Sequence, residues 1–161
     1  MQVKPQLSII IPTLNEESHI PRLGEQLGDD PRVEVILSDG GSKDKTISLV
    51  SSYGFTLVNS SSGRAIQMNQ GAEFASSEYL LFLHADSILP DNFFSLIQCF
   101  LQADPTRIGA FQLQIDHPGK RFRILESLVA FRSRYFKLPY GDQGYFLTKS
   151  LFQQLGGFPS I

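Results

Sequence analysis

Four short apolar runs, Leu7–Ile11, Val33–Ser38, Phe55–Asn59 and Tyr79–Leu83, recur along the chain with segments of helical pattern between them at about 17–27, 43–52 and 64–75. No other feature restricts the fold as much. Strands that alternate with helices imply right-handed βαβ crossovers and a mostly parallel α/β sheet with helices on both faces. After Pro90 a helix carrying Phe93, Phe94, Leu96, Ile97, Phe100 and Leu101 on one face leads to Ile108–Ile115, whose alternation from Phe111 predicts a half-buried strand. In an open sheet of this kind ligands bind outside the carboxyl ends of the strands, so the residues at which each run stops are the ones to read for function.

The first run breaks at Pro12 and continues as Thr13-Leu14-Asn15-Glu16-Glu17. Thr13 or Asn15 is predicted to cap the helix that runs to about Leu27, with Glu16 and Glu17 at its positive end. The second run closes on Asp39-Gly40-Gly41-Ser42-Lys43-Asp44-Lys45-Thr46. Two glycines after a strand-terminal acid let the backbone approach a ligand, and the next residues open a helix whose free N–H groups favour anions. An ordinary βα turn is the plainer reading of the same residues. The fourth run stops at His84-Ala85-Asp86. In an extended segment an imidazole and a carboxylate at i and i+2 project to one side and can face one cation or one phosphate. The alternative is a capping Asp86 beside a satisfied loop histidine. No Walker lysine motif or G-x-G-x-x-G fingerprint occurs.

With 161 residues and no shift in composition, the chain reads as a single domain spanning 1–161. Its net charge of −2 gives no basic footprint, so nucleic acid is not an expected partner. Cys99 is the only cysteine, which rules out an intrachain disulfide and a cysteine zinc site; it is expected to be a buried apolar filler. No basic n-region with an apolar segment opens the chain, and no run approaches the roughly 20 apolar residues of a membrane span. The chain is expected to be cytoplasmic.

Taken in order, Pro12-Thr13-Leu14-Asn15-Glu16, Ser38-Asp39-Gly40-Gly41-Ser42 with Asp44 and Thr46, Gly63-Arg64, Met68-Asn69-Gln70-Gly71-Ala72 and Leu83-His84-Ala85-Asp86 resemble the signature of family 2 glycosyltransferases. The similarity runs from about Leu7 to Pro159 and is closest to the short bacterial members, through Gly141-Asp142-Gln143-Gly144 and Gly156-Gly157-Phe158. The resemblance implies a GT-A fold, a Rossmann-like sheet that binds a nucleotide sugar and usually a divalent metal, Mn²⁺ or Mg²⁺. By resemblance, Pro12, Thr13, Asn15 and Glu16 line the donor site, with Thr13 and Glu16 at the ribose and base. Asp39 accepts from a uracil-type N–H beside Gly41 and Ser42, which implies a UDP-linked donor. Arg64 approaches the base or diphosphate, Asn69 lies in the motif that follows, and Asp86 binds the ion with His84 alongside. Read without the resemblance, Arg64 is a solvated helix-start arginine, and Met68, Asn69 and Gly71 are plain helix packing.

Two departures stand out. The family commonly has Asp-x-Asp where this chain has His84-Ala85-Asp86, which leaves fewer carboxylates and a donor set better suited to Mn²⁺ than to Mg²⁺. In the family a Glu-Asp pair follows Gly-Gly-Phe and supplies the catalytic base, whereas Ile161 comes soon after Gly156-Gly157-Phe158-Pro159. The expectation is a domain lacking its C-terminal part, with Asp142 as the remaining candidate catalytic acid beside Asp86. Between Lys120 and Lys137, Arg121, Arg123, Arg132 and Arg134 interleave with Phe122, Leu125, Leu128, Val129, Phe131 and Phe136. That stretch reads either as a peripheral membrane contact or as a core helix with a solvated basic face. The function expected is inverting, metal-assisted transfer of a sugar to a hydroxyl acceptor, saccharide or lipid-linked. The alternatives are a non-catalytic donor-binding module or inactive fragment, and a nucleotidyltransferase of similar fold.

Overall fold

The computed structural model describes residues 4–28, 30–111 and 144–159. Strands β1 (Leu7–Thr13), β2 (Val33–Asp39), β3 (Thr56–Asn59), β4 (Tyr79–Phe82), β5 (Gly109–Ala110) and β6 (Tyr145–Thr148) form one sheet in the order β3-β2-β1-β4-β6-β5. The first four are parallel, as their alternation with helices requires. β6 runs antiparallel to both β4 and β5, which the sequence pattern did not reveal.

Side chains alternate across the sheet, so the continuous apolar run of β1 feeds two cores. Leu7, Ile9 and Ile11 meet α1 (Ile20–Leu27), α2 (Thr46–Ser52) and α4 (Phe93–Ala103) through Leu23, Leu27, Val50, Phe94 and Ile97. Ile10 faces the opposite way, toward α3 (Arg64–Phe74) and α5 (Lys149–Leu155), with Ile36, Val58, Ala72, Leu80, Phe82 and Leu147. Helices therefore lie on both faces. On α4 the buried stripe is Phe93, Phe94, Ile97 and Leu101. Cys99 lies about 200° round the helix from Ile97 and is exposed, which corrects its expected burial.

Several boundaries also shift. α1 begins at Ile20 with His19 as its N-cap and no side-chain cap bond, so neither Thr13 nor Asn15 caps it. α2 begins at Thr46 rather than near Lys43. β5 covers Gly109–Ala110, whereas residues 112–115 of the expected strand lie outside the described residues. No helix among the described residues is long and apolar enough to cross a membrane.

Candidate functional site

β1 is central, with β2 on one side and β4 on the other. The chain winds outward from β1 to β2 and β3, then crosses back to β4, so the topological switch point lies between β1 and β4. There the two strands part. Their last backbone tie is Leu83 N–H to Ile10 O at 3.0 Å, while β1 and β2 stay paired through Pro12–Ser38 and Thr13–Asp39. Bond directions alternate along a strand, so Pro12 faces the same side as Ile10 O; having no N–H, it has nothing to donate where β4 has peeled away. The result is a notch at the sheet's carboxyl edge, walled by the β1–β2 pair and by residues 83–86.

On the β2 wall, Asp39 is 2% exposed and organises its own turn. Its Oδ2 accepts from Gly41 N–H at 2.9 Å and Ser42 N–H at 2.8 Å, and its Oδ1 accepts from the Ser42 hydroxyl. The Thr13 hydroxyl, 1% exposed, lies 3.4 Å from Ser38 O and 3.5 Å from Asp39 Oδ1. Gly41 holds φ at 99°, a conformation that favours glycine, although open space surrounds its missing Cβ.

The loops after β1 and β2 are joined reciprocally. Asn15 N–H donates to Ser42 Oγ and Asn15 Oδ1 accepts from Lys43 N–H, both at 2.8 Å. Glu16 N–H donates to Thr46 Oγ1 at 2.8 Å, Glu17 N–H to Asp44 Oδ2 at 3.1 Å, and Lys45 N–H to Glu17 Oε2 at 2.8 Å. Asp44 Oδ1 also accepts from Thr46 N–H at 2.9 Å. Partial burial raises the Asp44 carboxyl, but hydrogen bonds from Thr46 and Glu17 outweigh it and hold the group below the ordinary aspartate range. Of the N–H groups expected to be free for an anion at the start of α2, those of Lys45 and Thr46 are thus already taken. The Glu16 carboxylate accepts from His19 Nδ1 at 2.8 Å.

Beyond β4, Ser87 N–H bonds to His84 O at 3.1 Å and closes a turn. His84 and Asp86 are therefore not alternate residues of an extended segment, contrary to the expectation that placed them on one side. Asp86 is exposed and His84 half-buried. Among the described residues no group of three or more His, Cys, Asp or Glu gathers as a metal site. Arg64, the first residue of α3, is also exposed, and neither its side chain nor that of Asp86 has a hydrogen bond or ion pair among the described residues.

Asn69 lies elsewhere. Its carboxamide clasps the Phe158 backbone from both ends, Nδ2 to Phe158 O and Phe158 N–H to Oδ1, each at 2.8 Å. It lines a cleft of about 260 Å³ between α3 and α5, together with Glu73, Lys149, Phe152 and Gly157. Of the polar groups there, Asn69 is engaged by Phe158 and the Lys149 ammonium by Ala75 O, whereas Glu73 is exposed. Asp142 and the basic stretch 120–137 lie outside the described residues. Sequence reasoning passed over Gln67, a 5% exposed carboxamide on α3 that binds the ends of β1 and β2. Its signal was a polar residue on the sheet-facing side of a helix, four residues from glycines in both directions.

The profile of glycosyl transferase family 2 matches residues 8–154. A Haemophilus influenzae protein named as an uncharacterized glycosyltransferase is 28% identical over 163 residues, covering 96% of this chain and 51% of its own length. A PGL/p-HBAD biosynthesis glycosyltransferase of Mycobacterium bovis is 35% identical over 97 residues, 53% of this chain and 37% of its own. This chain thus spans about half or less of the length of these curated relatives. Among solved structures, a mannosyltransferase from Pyrobaculum calidifontis in complex with GDP-Man and Mn²⁺ superposes with a TM-score of 0.74 at 26% identity, over 98% of this chain and 48% of that one.

Proposed function

The chain belongs to glycosyl transferase family 2, and from that premise we propose that its GT-A sheet binds a nucleotide sugar, UDP-linked, in the notch where β1 and β4 part, for transfer of the sugar to a hydroxyl acceptor. The observation that carries the reading is the pair of charges at this edge, Arg64 and Asp86, whose side chains have no partner among the described residues. An exposed arginine suits the anionic diphosphate, and an exposed carboxylate suits a divalent cation bridging its oxygens.

Thr13 and Glu16 are assigned to the ribose and base, with Pro12, Asn15, Gly41 and Ser42 forming the adjoining wall. A carboxylate oxygen accepts up to two hydrogen bonds. Asp39 Oδ1 accepts from the Ser42 hydroxyl and lies 3.5 Å from the Thr13 hydroxyl, whose single proton can turn to Ser38 O instead and leave one position for a base N–H. Asp86, with His84 nearby, supplies one or two donors; Mg²⁺ and Mn²⁺ sites on nucleotides commonly use one or two carboxylates and fill the remaining positions with phosphate and water. The residues present therefore fit such an ion, and Mn²⁺ tolerates the imidazole better. When bound, the cation offsets charge developing on the departing nucleoside diphosphate. Arg64 holds the same diphosphate from the α3 side. Inversion requires a base for the acceptor proton, and Asp142 is the candidate in this sequence. The stretch 120–137 is proposed as a peripheral membrane contact for a lipid-linked acceptor.

Calorimetry and thermal shift with UDP, GDP and their sugars, with and without Mn²⁺, test the reading. A ligand at a hundredfold excess over Kd should add about 2.7 kcal/mol of stability. Arg64→Ala should weaken binding by about tenfold or more without changing the ligand-free Tm. Asp86→Ala should remove the Mn²⁺ dependence. Asp142→Asn should suppress nucleoside diphosphate release and spare donor affinity. Absence of any nucleotide-dependent shift sinks the proposal.

A further inference from the structure

We propose that Gln67 is a positioning residue of the donor site, its carboxamide holding the ends of β1 and β2 and the start of α3 in one frame. The inference rests on the notch being the donor site. Gln67 Nε2 uses both of its N–H groups, one to Thr13 O and one to Ser38 O, each at 2.8 Å. These are the last carbonyl of β1 and the carbonyl preceding Asp39. Its Oε1 accepts from Gly63 N–H at 3.3 Å, immediately before Arg64. Thr13 O also accepts from Gly40 N–H at 2.9 Å, so the β2 turn is tied to the same carbonyl. A Cβ on Gly40 would come within 3.1 Å of Gln67 Nε2, so the turn carrying Gly41 and Ser42 rests on this side chain.

One carboxamide thus links Thr13, Asp39 and Arg64, three residues assigned to different parts of the donor. A buried donor pair aimed at two carbonyls is costly to remove, because Thr13 O is left with Gly40 N–H alone and Ser38 O keeps, of its side-chain partners, only the long 3.4 Å contact from the Thr13 hydroxyl, both out of water. Gln67 does not itself face the donor; it fixes groups that do. Strand-end geometry off by 1 Å is enough to spoil such a constellation.

Two variants test this at a temperature where circular dichroism shows them folded. Gln67→Met keeps length and apolar packing but donates nothing; it should weaken UDP binding by about tenfold or more. It should also speed amide exchange at Gly41 and Ser42, whose N–H groups bond Asp39, without altering exchange in β4. Gln67→Glu places an acceptor against two carbonyls, and burial should raise the pKa of the introduced carboxyl. Its protonated form returns one O–H donor, so affinity relative to wild type should recover as pH falls from about 8 to about 5. A residue that only filled the core would lower Tm and leave the affinity of the folded protein, its pH ratio and the two amides unchanged; that result overturns the proposal. If wild type binds neither UDP nor GDP while exchange at Gly41 and Ser42 still quickens in Gln67→Met, the positioning role stands and the donor reading falls.

Discussion

Asn15 shows how one position can satisfy two demands. Its φ of 58° is the only positive value among the described non-glycine residues, and asparagine tolerates that region better than other side chains. Glycine would adopt it as easily but could not bond Lys43 N–H as Asn15 Oδ1 does. Asn15→Gly should therefore cost about 0.5–1 kcal/mol for the lost bond, whereas Asn15→Ala should cost about 2 kcal/mol because strain is added. Urea titration of both variants checks the ranking, and equal costs would mean that the backbone conformation does not select this residue. A polar residue just past a strand was legible in the sequence as a site candidate. That it clasps a loop 28 positions away was not, because local pattern is silent about tertiary partners.

Among the elements, the same cause explains the late start of α1. Residues 15–17 follow the pattern of a helix entry, yet their backbone and side chains are occupied by Ser42, Lys43, Asp44, Lys45 and Thr46. Tertiary bonds displaced the local cap. α3 carries the opposite lesson, since Gly71 reads as a weak helix residue until its neighbour across the sheet is seen. A Cβ there would sit 2.6 Å from Ile10 Cγ2, so the glycine sets how closely α3 approaches β1. Gly71→Ala gains about 1 kcal/mol of helix propensity and loses more to overpacking, typically about 1–3 kcal/mol. The net should be a lower Tm in calorimetry; a raised Tm would show that α3 can move off the sheet at little cost.

For the whole molecule, the parallel β1–β4 set with helices on both faces was legible because each strand is short, apolar and followed by a helix-length segment. β6 escaped notice because Tyr145–Thr148 is four residues long and pairs antiparallel with strands far away in sequence. A second polar cluster sits at the edge opposite the notch, where the Glu34 carboxylate accepts from Ser8, Ser76 and Ser77. Burial raises this carboxyl, but the hydrogen bonds from Ser8, Ser76 and Ser77 outweigh it, and its pKa falls below the ordinary glutamate value of 4.5. Below 4.5 the unfolded chain binds the proton first. The stability Glu34 contributes is therefore complete above that pH and lost as acid passes through the lower folded value. Glu34→Gln should reduce neutral-pH stability and make the acid limb of a stability–pH curve shallower; an unchanged limb would remove Glu34 from the acid response.

The clasp between Asn69 and Phe158 spans 89 positions, and Phe158 also rests edge-on against Phe82 at the end of β4. A ribosome adding roughly 5–20 residues per second needs on the order of 4–18 s to travel from one clasp partner to the other. For most of that interval, from residue 82 to residue 147, α3 and β1–β4 have been made while Leu147, Leu151, Phe152 and Phe158 have not. The face built on Ile10, Leu80 and Phe82 is thus the last to be shielded in the nascent chain, and the one a chaperone would first encounter.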